Sequence, residues 1–206
     1  MNHRYAHKEL AEVLYTALTE DAFYIAMEGS ISRPGLSARE GMVQYMDFSL
    51  REAAQYGVLS EIAEGPIGAG IWSKPMSASE ASAISRAKQA FLEANLGANA
   101  VATYRTITEF MTEHTAPCVP PGAWYLSILG VAPEHQGRGL GAQLVQPVLD
   151  VTDRLAVPTY LETFTPRNKS FYQRLGYSEA LSVTEPTTGT DYCVMLRAPK
   201  ARPAKQ

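Results

Sequence analysis

The chain has 206 residues, 46 % of them apolar and 19 % charged, with a formal net charge of −3. That is an ordinary globular composition long enough for one well-cored domain. It excludes a disordered chain and argues against a protein built mainly to hold nucleic acid. No apolar run approaches the roughly 20 residues that span a bilayer, the first ten residues lack the apolar segment of a secretory leader, and Cys118 and Cys193 stand far apart in no metal-ligand spacing. The expectation is a cytoplasmic protein with free thiols, no metal, and no membrane or nucleic-acid partner.

Taken in chain order, Leu10, Val13, Leu14, Ala17 and Leu18 recur at helical spacing and predict one helix over 8–27. A second helix is predicted over 37–55, with Ser37 as N-cap, Glu40 three residues on and Gly57 behind it. From Val58 the pattern changes. Val58-Leu59 and Gly68-Ala69-Gly70-Ile71-Trp72 flank the turn at Gly65-Pro66 and predict a hairpin. Residues 77–114, rich in Ala, Glu, Gln and Leu, predict helices broken near Gly97, and 116–122, with three prolines, is a connector.

Residues 123–131 are mostly apolar on both faces, as in a central strand. A loop over 132–139 leads to a helix carrying Leu140, Leu144, Val148, Val151 and Leu155, which Pro147 should kink rather than end. A strand over 159–164, a short helix over 168–175 closed by Gly176, and strands near 178–184 and 192–197 follow. Strand, helix, strand, helix in this half predicts an α/β (α+β) fold, a mixed, partly parallel twisted sheet with helices on both faces and an antiparallel edge from the last two strands. Residues 1–198 are read as one domain: acceptor-side helices and hairpin in 1–122, a cofactor-binding core in 123–177 and C-terminal strands in 178–198. Residues 199–206 are read as a disordered tail.

The turn Gln136-Gly137-Arg138-Gly139-Leu140-Gly141 gathers three glycines and an arginine at a helix start. The first helical amides lack internal partners and glycine lets a phosphate approach them; a plain flexible turn is the bland alternative. A Walker A loop fails, because Leu140-Gly141 stands where Lys-Ser/Thr is needed. Gly137, Gly139 and Ala142 match a dinucleotide fingerprint, with Glu162 at roughly the distance of a ribose ligand. However, Ala132 to Gln136 separate the first glycine from the strand, and no second mononucleotide half follows.

Gln136, Gly139 and Gly141 also meet Q/R-x-x-G-x-G/A, which resembles the pyrophosphate loop of the GNAT acyltransferase superfamily. The segment Asn168 to Tyr177 resembles that family's second signature, an Asn, then a Tyr four residues before Gly, then an aromatic. LGVAPEHQGRGLG, LETFTPRNKSFYQRLGY and IWSKP narrow the resemblance to the puromycin N-acetyltransferase-like subgroup. The resemblance implies direct transfer of an acetyl group from acetyl-CoA to an acceptor amine. The pyrophosphate would rest on Gln136, Gly137, Arg138, Gly139, Leu140, Gly141 and Ala142. The pantetheine arm would run beside Leu129, Gly130 and Val131, with the Val131 amide donating to the thioester oxygen.

Tyr172 stands at the family's general-acid position and would protonate the leaving sulfur. Glu162, mid-strand on the side of Tyr160 and Phe164, is a candidate base acting through water; a solvated strand face or an arginine partner would equally explain it. Asn168 precedes Tyr172 by four residues rather than the family's seven, and either contacts pantetheine or caps the helix. Trp72 and Trp124 belong to the core or to the acceptor side. Phe23, Tyr24, Met27, Met42, Tyr45, Met46 and Phe48 either line an apolar acceptor cleft or pack helices together. The expected acceptor is a small-molecule primary amine, handled by a monomer or homodimer. A peptide acceptor and a non-catalytic acyl-CoA sensor are the alternatives. The family also opens on a strand, for which residues 1–5 are short.

Overall fold

The computed structural model describes residues 3–200. Helices α1 (Lys8–Ala17), α2 (Ala22–Gly29) and α3 (Ala38–Tyr56) precede the hairpin β1 (Val58–Glu61) and β2 (Gly68–Ser73). Helices α4 (Ala78–Asn95) and α5 (Ala98–Thr115) lead to strand β3 (Trp124–Val131), helix α6 (Leu140–Leu155) and strand β4 (Thr159–Thr163). Helix α7 (Lys169–Arg174) and strands β5 (Ser178–Glu185) and β6 (Thr190–Arg197) close the chain.

The helix expected over 8–27 is two helices. The Thr16 and Thr19 hydroxyls bond back to the carbonyls of Glu12 and Thr16, competing with the helical ladder. Asp21 then restarts it by accepting the Phe23 amide as N-cap. Ser37 caps α3 by accepting the Glu40 amide, and Ser77 with Glu80 forms a full capping box on α4. Gly97, at φ 101°, separates α4 from α5. Pro147 lies inside α6 on its exposed side without ending it. No strand precedes α1 among the described residues, so the sheet begins at Val58. Of the tail read as disordered, residues 201–206 lie outside the described residues.

The sheet has six strands in the order β1-β2-β3-β4-β6-β5. Only β3 and β4 run parallel; every other pairing is antiparallel. The last two strands do not simply add to the edge in sequence. Strand β6 inserts beside β4 and leaves β5 outermost. On one face, Leu14, Met42, Leu50, Ile128 and Val194 join the first five helices to the sheet. On the other, Val145 and Leu149 of α6 pack on Leu126, Leu161 and Met195. This is the mixed sheet with helices on both faces that the alternation of elements predicted. No helix among the described residues is long and apolar enough to cross a membrane.

One irregularity prepares the site. Ile71 pairs with Ile128 but Trp72 pairs with Leu126, so Ser127 is an extra residue in β3. Its hydroxyl donates to the Ile71 carbonyl at 3.2 Å. The pairing of β3 with β4 covers only 124–126 against 159–161 and stops at Leu126 with Leu161. The two strands therefore part at the bulge, where the local bend of β3 carries it away from β4.

Candidate active site

Beyond Leu126, β3 keeps β2 on one side and has an open edge on the other. The Ala132 amide donates to the Ile67 carbonyl at 2.9 Å, and the register then sets Val131 against Gly68 and Leu129 against Gly70. Antiparallel ladders alternate, so the backbone groups of Val131 and Leu129 face away from β2, into the gap left by β4. The Gln136 side chain donates to the Val131 carbonyl at 2.9 Å, which ties the following loop to the strand end.

That loop is one turn of 3-10 helix over Pro133–His135, then the glycine turn, then α6. Gly137 and Gly139 take φ of 76° and 81°, conformations that glycine reaches without strain. A Cβ at either position would meet nothing within 4 Å, so the space over this turn is open. Gly141 is different: a Cβ there would come within 3.2 Å of the Phe171 ring, so its absence lets α6 and α7 approach. The open amides at the start of α6, the exposed Arg138 and the clear space above them fit an anionic group.

A cavity of about 630 Å³ crosses the gap between the strands. Leu129, Asn168, Tyr172 and Glu162 all line it, so the structure brings four residues singled out in the sequence onto one space. Gly130, Val131 and the turn from Gln136 to Ala142 are not in its wall; they continue from it along β3 toward α6. Asn168 does not cap α7 with its side chain, which leaves that side chain available to the cavity.

Tyr172 is buried, and burial, with lesser effects from Tyr177 and Asp21, pushes its phenol well above the ordinary range. It holds its proton at neutral pH and can only give it to a strong base formed beside it. Glu162 projects from β4 on the same face as Tyr160, half-buried. Its Oε1 accepts the Thr115 hydroxyl at 2.5 Å and the hydroxyl of Tyr192, which are themselves in contact. The rings of Tyr125 and Tyr160 stack beside it, centroids 4.6 Å apart and planes 14° from parallel. Burial, then the Glu162 charge, raises both of these phenols, so they stay neutral around the carboxylate. No arginine pairs with Glu162 among the described residues.

The aromatic and Met residues of the first helices divide. Phe23, Tyr24 and Tyr45 reach the cavity wall, whereas Met27, Met42 and Met46 are fully buried in the core and Phe48 stacks on Phe91. Trp72 is fully buried and borders the cavity, while Trp124 is partly buried under Lys74. Thr115, Tyr192, Asp21 and the Lys88–Glu52 pair were not visible as site residues in the sequence. Thr115 ends a helix, Tyr192 alternates in an edge-like strand and Asp21 sat inside what read as one helix. Only Asp21, an N-cap type ahead of an apolar run, carried a local signal.

Residues 88–179 match the family model for the acetyltransferase (GNAT) domain. An uncharacterized N-acetyltransferase of Schizosaccharomyces pombe is 29 % identical over 80 residues, 38 % of this chain and 32 % of that protein, so the match spans about a third of the curated relative. A Corynebacterium glutamicum structure described as histone acetyltransferase HPA2 and related acetyltransferase superposes with a TM-score of 0.64 at 19 % identity, covering 97 % of this chain and 93 % of its own. Arylalkylamine N-acetyltransferase 2 of Aedes aegypti gives 0.65 at 12 % identity, covering 94 % of each chain. A Drosophila melanogaster polyamine N-acetyltransferase gives 0.55 at 17 %, covering 91 % of this chain and 94 % of its own. At these identities the likeness establishes a shared fold.

Proposed function

Proceeding from a GNAT acetyltransferase domain over residues 88–179, we propose that this chain transfers the acetyl group of acetyl-CoA to a primary amine of a small molecule. The observation that carries the reading is the gap between β3 and β4. It brings Leu129, Tyr172 and Glu162 onto one cavity, from which β3 continues to Val131 and the glycine turn. The expected resemblance to the puromycin N-acetyltransferase-like subgroup is part of this reading, carried by the motif segments alone.

In this proposal the pyrophosphate rests on the amides from Gly137 to Ala142, with Arg138 pairing its charge. Pantetheine lies along β3 as an added strand would, and Asn168 meets it from α7. The thioester lies where the cavity begins. Of the two outward amides, Leu129 borders the cavity and lies about 10 Å along the strand from Leu126, whereas Val131 lies about 17 Å along and outside it. The Leu129 amide is therefore the better donor to the thioester oxygen, and Val131 serves the pantetheine arm.

The acceptor ammonium gives one proton through water to Glu162, held by Thr115 and Tyr192. The freed nitrogen attacks the carbonyl carbon, the carbon–sulfur bond breaks, and the electron pair leaves on sulfur. Tyr172 protonates that sulfur, and the second nitrogen proton restores its phenol through solvent. The roof formed by α4 and α5, with Ile84, Lys88, Tyr104 and Thr108 in the wall, suits a small acceptor rather than an extended peptide. Thiol release from acetyl-CoA against a panel of amines tests the proposal. The Glu162→Gln protein should lose the acidic limb of the pH–rate profile and fall about 100-fold or more in rate. Retention of both would remove Glu162 as the base.

A further inference from the structure

A half-buried carboxylate keeps its charge only where cations or hydrogen-bond donors face it. No salt bridge reaches Glu162 among the described residues. Its support is two hydroxyls on one oxygen: Oε1 accepts from Thr115 at 2.5 Å and from Tyr192. Neither bond engages Oε2. A hydrogen bond to an ionised acceptor is stronger than one to a neutral acceptor, so both donors favour the charged form.

The fold holds Tyr192 firmly in that place. Glu162 pairs with Val194 in the register of β4 with β6, so Tyr192, two residues away, stands diagonally on the same sheet face. It is fully buried and does not line the cavity. Its ring lies 6.1 Å from that of Phe110 on α5 and 5.3 Å from that of Phe164. Burial and then the Glu162 charge raise its phenol, so it remains a neutral donor. Thr115, the last residue of α5, is buried and reaches the same oxygen from the helix side.

The Tyr125 and Tyr160 phenols, on β3 and β4, also face the carboxylate and stay neutral. His114, beside Thr115, is turned onto the Phe110 ring, with Nδ1 2.8 Å from the Phe110 carbonyl. Asp21, Glu52 and Lys88 are the remaining charged groups of the cavity wall.

We propose that Tyr192 and Thr115 are positioning residues for acetyl transfer: their hydroxyls fix Oε1 of Glu162 and keep the carboxylate charged, in one orientation toward the water that carries the acceptor's proton. The proposal rests on the acetyl-transfer reading. It goes beyond it by assigning the ionisation and orientation of the base to side chains that act only through Glu162.

Tyr192→Phe removes one hydroxyl and keeps the ring between Phe110 and Phe164. The Glu162 carboxyl, identified by NMR as the resonance absent from Glu162→Gln, titrates in the free protein without any acceptor. In Tyr192→Phe it should titrate about 1–2 pH units higher. In thiol release from acetyl-CoA over the amine panel, the acidic limb of the pH–rate profile should move up by a similar amount, with the acetyl-CoA KM unchanged. Thr115→Val should move both readouts in the same direction, and Thr115→Ser, which keeps the hydroxyl, should move neither. Should Tyr192→Phe fail to fold by circular dichroism, the two Thr115 variants decide. A Glu162 carboxyl that titrates alike in the unaltered protein and in the folded Tyr192→Phe and Thr115→Val variants would overturn the proposal and leave acetyl transfer standing. A carboxyl that shifts while no amine is turned over would overturn the acetyl-transfer reading, and this role with it.

Discussion

Gly139→Ala puts a Cβ on a residue at φ 81° and ψ 0° with nothing within 4 Å of it, so the substitution acts through the backbone and not through a clash. Holding alanine in the left-handed region costs about 1–2 kcal/mol. The protein can take that cost in two ways. If the turn keeps its shape, the folded state carries the strain, and Tm falls by about 2–8 °C for a chain of this size. If the turn relaxes in the free protein and re-forms around the pyrophosphate, CoA binds about 5- to 30-fold more weakly. The two losses should together account for about 1–2 kcal/mol. Gly139→Asn separates the causes. Asparagine tolerates the left-handed region, so Tm should recover, but its side chain fills the open space above the turn and CoA binding should stay weak. Isothermal calorimetry with CoA and thermal melting measure both quantities without knowledge of the acceptor. If both variants bind CoA and melt like the unaltered protein, this turn does not cradle the pyrophosphate.

Tyr172→Phe should lower kcat by about 100-fold or more with little change in the acetyl-CoA KM, read by steady-state thiol release, since the phenol is proposed to act on the leaving sulfur rather than on binding. Arg197 is buried and forks onto Asp153 with both contacts at 2.7 Å, and that pairing holds the Asp153 carboxyl below its usual value. A depressed carboxyl contributes stability above the unfolded value of about 3.9 and loses it as pH falls through the folded one. Asp153→Asn should therefore cost about 3 kcal/mol at neutral pH, about 6–12 °C in Tm, and the gap to the unaltered protein should close below about pH 4. Gly57→Ala would place a Cβ 2.0 Å from the Trp72 carbonyl oxygen and should cost about 3 kcal/mol or more in denaturant melts. Gly29→Ala, at a helical position with nothing within 4 Å, should instead gain about 0.5 kcal/mol.

The elements that read clearly in the sequence are those whose reasons are local. Ser37 and Ser77 cap helices that start where they stand, Gly97 divides α4 from α5, and the turn at Gly65-Pro66 sets the hairpin. The break between α1 and α2 was obscured because its apolar spacing continues through Leu18, and only the Asp21 side chain bonding to the Phe23 amide restarts the helix. The glycine turn was legible for the same reason: it is a short run of backbone with φ values that demand glycine, so Gly137 and Gly139 declare it in the letters.

The surroundings of Glu162 are assembled otherwise. Thr115, Glu162 and Tyr192 lie 47 and 30 positions apart and meet because β6 inserts beside β4 while α5 ends over them. The pairing of Glu52 with Lys88 depends on how α4 docks against α3, and the gap between β3 and β4 begins at one extra residue, Ser127. The sequence by itself determined the glycine turn and the capped helices, since backbone preference and short-range hydrogen bonding decide them. Only the tertiary structure decided that Glu52 is paired by Lys88 while two hydroxyls hold Glu162, because pairing across a cavity is a property of packing between distant segments.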